Sequence, residues 1–73
     1  MKLRDLRKQA KLTAKQVADK VGVTENAIYH YEQGRRNVDI MLAFKLAVLY
    51  DVTFEEIGQA VVNTRFSLED NQQ

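Results

Sequence analysis

The chain has no cysteine, no proline and no tryptophan, and its only glycines are at 22, 34 and 58. Without cysteine there are no disulfides or thiolate metal sites, and nothing argues for an oxidising compartment. The single histidine, His30, has no second histidine or thiol with which to share a metal, so no metal and no cofactor is expected. No run approaches the roughly 18 apolar residues of a membrane span, and the first residues lack the apolar stretch of a signal peptide. A cytoplasmic protein with no membrane partner is the expectation. With so little proline and glycine, the chain should be helices joined by short turns. Its 73 residues make one small domain, a size that buries roughly 60% of its unfolded surface.

Net charge is only +1, but it is unevenly spread. Residues 1–36 carry nine Lys and Arg against four acids, or +5, whereas residues 37–73 carry two against six, or −4. A basic half beside an acidic half suits a one-faced footprint on nucleic acid. Charges on solvated helix faces give the same counts.

The helices can be placed from their ends. Leu3, Leu6 and Ala10 keep helical spacing and suggest a first helix closing near Ala10. Thr13 and Gln16 form a capping box that opens a second helix over about 14–21. Thr24 can cap a third over about 25–33, terminated by Gly34, and Asp39 a fourth reaching Tyr50. Thr53 and Glu56 form another capping box, opening a short fifth helix through about Gln59. Beyond it Val62, Thr64, Phe66 and Leu68 alternate with Asn63, Arg65 and Ser67, a strand periodicity, so this segment is read as either a short strand or a frayed tail. The last five residues read as disordered. The expected division is therefore a domain over 1–60 and a C-terminal extension over 61–73. Phe44, Tyr50, Phe54 and Ile57 are expected in the core, because so small a domain needs them there.

The most informative spacing is Val17-Ala18, then Gly22, then Ile28 and Tyr31. Ala18 suits a point where two helix backbones come close, and Gly22 a left-handed turn just past a helix end. Val17, Val21, Ile28 and Tyr31 supply apolar contact on the inner faces. This is the pattern of a helix-turn-helix, whose second helix enters a DNA major groove. Together with Leu3-Arg4-Asp5-Leu6-Arg7, Leu12-Thr13, Val21-Gly22-Val23-Thr24, Tyr31-Glu32-Gln33-Gly34-Arg35-Arg36 and Leu46-Ala47 through Val52-Thr53, it resembles the Cro/cI-type, or XRE, family of regulators over residues 3 to 57.

The resemblance implies an all-α, five-helix, lambda-repressor-like domain that binds double-stranded operator DNA, most often as a homodimer on a pseudo-palindrome. It implies Glu25, Asn26 and Ala27 at base edges, with Tyr29 and His30 one turn later. It implies Arg35 and Arg36 on phosphates, joined by Thr24 at the helix start and by Lys15. Arg7 and Glu32 match positions that form a buried ion pair in related repressors. Four positions, in three places, depart from the family pattern. Ala14 stands where a phosphate-binding glutamine is common, Val38 where proline is common, and Met41 and Val48 replace polar residues on one face of the fourth helix. Those two apolar residues support a second reading, a module that keeps the fold but engages another regulator protein.

No enzymatic reading stands beside these two. Glu55 and Glu56 belong to a capping box, where acids favour the helix start. No phosphate-binding glycine loop, nucleophile elbow or zinc motif is present, and no catalytic residue is expected.

Overall fold

The structure, a computed structural model, describes residues 1–66. Five helices follow in order: α1 (Leu3–Gln9), α2 (Ala14–Val21), α3 (Glu25–Glu32), α4 (Ile40–Tyr50) and α5 (Phe54–Arg65). Among the described residues there is no strand, and no helix is long and apolar enough to cross a membrane.

The starts of α2, α3, α4 and α5 are each held by a short polar side chain. The Gln16 N–H donates to Thr13 Oγ1 at 3.1 Å while the Thr13 N–H donates to Gln16 Oε1 at 2.9 Å. Thr53 and Glu56 repeat this at 3.0 and 2.8 Å. Thr24 accepts from the Ala27 N–H, and Asp39 from the Leu42 N–H. These bonds satisfy donors that a helix start leaves open, each worth about 1 kcal/mol. Gly22 closes α2 at φ 82°, with its N–H and that of Val23 both donating to the Ala18 carbonyl. Nothing crowds Gly22, so a side chain there would meet only the backbone strain of the left-handed region, about 1–2 kcal/mol.

Leu3 and Leu6 of α1, Val17, Ala18 and Val21 of α2, Ile28 of α3, Leu42, Leu46 and Tyr50 of α4, and Ile57 and Ala60 of α5 share one core. Val17 and Ile57 are fully buried, each worth roughly 1.5–3 kcal/mol of transfer free energy. Ala18 is buried as well, and α2 and α3 are the most closely packed helix pair.

Two expectations fail in ways that matter. First, α5 does not stop near Gln59 but runs to Arg65, so Val62, Asn63, Thr64 and Arg65 are helical and not a strand. The alternation misled because the inward residues are polar. Thr64 Oγ1 accepts the Leu3 N–H at 3.1 Å, and Asn63 Nδ2 donates to the Met1 carbonyl at 2.9 Å. Phe66 caps the end of α5, while Ser67, Leu68 and the last five residues, expected to be disordered, lie outside the described residues. Second, Phe44 and Phe54 are not core. They are 52% and 41% exposed and stack on each other with centroids 4.5 Å apart. The inner face of α4 is already filled by Leu42, Ala43, Leu46, Ala47 and Tyr50, which leaves Phe44 on the outer face.

Candidate nucleic-acid interface

The turn at Gly22 sets α3 across α2, and Ile28 anchors it in the core. This leaves Glu25, Asn26, Tyr29 and Gln33 exposed, at positions that share one face of α3, with His30 half-buried beside them. Ala27 does not belong with them. It is 5% exposed and turned inward, so its methyl is withdrawn from any base edge. Asn26 is exposed, with an amide suited to a bidentate contact with adenine. The Tyr29 hydroxyl donates to Glu25 Oε2 at 3.4 Å, a long contact that leaves the carboxylate easy to redirect.

Arg35 and Arg36 stand exposed in the loop just past α3. The Arg35 N–H donates to the His30 carbonyl at 2.9 Å, and the Arg36 guanidinium lies 5.8 Å from the centroid of the Tyr31 ring. The loop is pinned from behind by α5. Arg65 Nη1 donates to the Gly34 carbonyl at 3.1 Å. Gly34 sits at φ 75°, and a Cβ there would lie 3.1 Å from the Thr64 carbonyl oxygen, so both conformation and space call for glycine. Thr24 caps α3 at an exposed position. Lys15 is exposed on α2 and meets Asp19 at 3.7 Å, a solvated pair that a phosphate can outcompete.

A cleft beside α3 adds cations that the helix-turn-helix pattern alone does not single out. Arg4, Arg7, Lys8 and Lys11 line it together with Tyr29, Glu32 and Gln33. Arg7 is neutralised by Glu32, so Arg4, Lys8 and Lys11 leave the cleft positive. Their spacing of four and three residues was a readable signal of one shared side. Arg65 carried no such signal, because it lies 31 residues from Gly34.

Under this surface, Arg7 Nε and Nη2 donate to the two Glu32 carboxylate oxygens at 2.6 and 3.1 Å, and Arg7 Nη1 donates to the Leu12 carbonyl at 3.1 Å. The side chains are only 10% and 6% exposed. The bond to Glu32 outweighs burial and raises the Arg7 pKa, so the guanidinium stays charged. The pair ties α1 to α3, as the related repressors implied.

Tyr50 lies near this pair. Burial first, and then the Glu32 carboxylate, push its phenol well above the usual tyrosine range, against an opposing effect of Arg7. A raised pKa in the folded state favours the neutral phenol, so this contribution to stability is intact below the ordinary value of 10.0. It declines as pH rises beyond that value, because the unfolded chain then loses its proton first. Denaturant titrations across the alkaline range should show this decline, and Tyr50→Phe should remove the Tyr50 component. An unchanged profile in Tyr50→Phe would count against it.

Residues 3–57 match the helix-turn-helix family. The chain is 38% identical over 63 residues to the uncharacterized HTH-type transcriptional regulator YqaE of Bacillus subtilis, a match covering 86% of this chain and 54% of that protein. It is 30% identical over 56 residues to an uncharacterized HTH-type transcriptional regulator of Archaeoglobus fulgidus, covering 77% of this chain and 80% of the relative. No solved structure matches significantly. With its turn at Gly22, its five helices and this match, the chain belongs to the XRE-type helix-turn-helix family. It spans about half the length of the Bacillus relative.

Proposed function

We propose that the protein is a sequence-specific DNA-binding transcriptional regulator of repressor type. It places α3 in a major groove of its operator and blocks the DNA to competing proteins. The observation that carries this reading is an exposed polar face on α3, with arginines in the loop behind it and a positive cleft beside it.

In this reading Asn26 and Glu25 read base edges, with Tyr29 and His30 one turn further along the groove. Arg35 and Arg36 hold phosphates, and Thr24, Lys15, Arg4, Lys8 and Lys11 supply further backbone contacts. An eight-residue recognition helix reads only a few base pairs, so useful specificity calls for two copies on a pseudo-palindrome. The homodimer, not a single copy, is the DNA-reading unit.

Titration of the protein against DNA flanking its own gene, by gel shift at several salt concentrations, tests the reading. Saturable, salt-sensitive binding that prefers one segment is the expected result. Absence of binding even at low salt would sink it. Asn26→Ala sharpens the test: it should cost roughly 1–3 kcal/mol at one base pair and leave non-specific binding nearly intact. A loss spread evenly over all operator variants would remove Asn26 from base reading.

A further inference from the structure

The fourth helix is apolar on both sides. Its inner face fills the core, and its outer face presents Ile40, Met41, Phe44 and Val48, which are 66%, 64%, 52% and 81% exposed. Phe44 is the hub. Ile40, Met41 and Val48 lie four before, three before and four after it, and Phe54 of α5 stacks on its ring. A helix that is hydrophobic all round is normally covered all round, and this fold covers only one side. We propose that this outer face is the seam through which two copies of the chain pair about a two-fold axis.

Area, composition and charge favour a second copy as the occupant. Five large apolar side chains, each at least 41% exposed, present on the order of 500 Å². Two such faces together exclude on the order of 1,000 Å², the lower bound for a specific interface. The patch itself holds no polar side chain, which suits the core of a homodimer better than a transient contact. The stripe 41, 44, 48 is also complementary to itself. Run antiparallel, it sets Met41 of one copy against Val48 of the other, with the Phe44 rings close to the axis.

The flanking residues carry both signs, Lys45 on α4 and Glu55 next to Phe54. Among the described residues neither has an ion-pair partner within the chain, so each is available to the other copy. The recognition surface stays open, because α3 packs on α2 and α1 and the outer face of α4 belongs to another side.

The use of this seam on an operator rests on the DNA-binding reading, but the seam itself is tested without DNA. Sedimentation equilibrium of the whole chain should show a dimer. Met41→Glu with Val48→Glu should weaken self-association by at least about a hundredfold, because like charges then face across the axis. Its helical circular dichroism and melting should be unchanged, since both residues lie outside the core.

Met41→Lys with Val48→Lys should likewise be monomeric, and mixing the two double variants should restore a dimer, which a mere folding defect would not do. On DNA, the Glu variant should bind a single half-site like the parent and weaken by about a hundredfold or more on paired half-sites. A parent chain that stays monomeric at hundreds of micromolar overturns the proposal and leaves the face to a different protein. So does a Glu variant that still dimerises, or a mixture that stays monomeric. A chain that dimerises through this face but binds no DNA keeps the seam and refutes the functional reading.

Discussion

Removing either partner of the buried Arg7–Glu32 pair is expected to destabilise the domain by about 3–5 kcal/mol. The cause is the charge left behind more than the missing bond. In Glu32→Ala the guanidinium stays buried and charged with only the Leu12 carbonyl for company. In Arg7→Ala the carboxylate stays buried beside Tyr50, whose neutral phenol does not offset it. A chain of this size is stable by roughly 4–11 kcal/mol, so either change consumes a large share. Arg7→Met combined with Glu32→Leu should cost much less, because no charge is then stranded. Urea denaturation of the three variants measures this. Small, equal effects of under about 1 kcal/mol would mean that the pair behaves as a solvated one.

The second large effect concerns DNA. Replacing Arg35 and Arg36 together with alanine should make the slope of log K against log salt shallower by about 0.9 for each phosphate no longer neutralised. Two such phosphates correspond to a weakening of roughly one to two orders of magnitude at about 0.1 M salt, nearly uniform across sequences. That uniformity separates these arginines from Asn26, whose replacement should be felt at one base pair. Arg65→Ala is a useful companion, because it releases the Gly34 carbonyl and loosens the loop without removing either exposed arginine. An unchanged slope in the double variant would take the loop out of the interface.

The helices were legible where a single residue decides the backbone. Thr13 with Gln16, Gly22, Thr24, Asp39 and Thr53 with Glu56 each satisfy or bend the chain locally, so the limits of α2 and the starts of α3, α4 and α5 follow from a few neighbours. The Arg7–Glu32 pair was legible only through the family resemblance, because its partners are 25 residues apart. What escaped was set by the third dimension. Phe44 and Phe54 look like core residues until Leu46, Ala47 and Tyr50 are seen to have filled the space. Ala27 is small enough to sit in a groove or under a helix, and only packing decides which. The true end of α5 was hidden because Asn63 and Thr64 point inward to serve the start of α1, where hydropathy expects apolar side chains.

The last turn of α5 has a consequence for cutting the chain. A fragment ending at Ala60 would keep the side-chain caps that start α2 to α5 and nearly all of the apolar core. It would nevertheless give up the hydroxyl that receives the Leu3 N–H, the amide that holds the Met1 carbonyl and the guanidinium that grips Gly34. Those three bonds sit in consecutive residues, 63 to 65, and join the beginning of the chain to the loop that carries Arg35 and Arg36. A minimal fragment chosen by hydrophobic content alone would discard this clasp, and with it the alignment of the arginine loop to the helix in front of it.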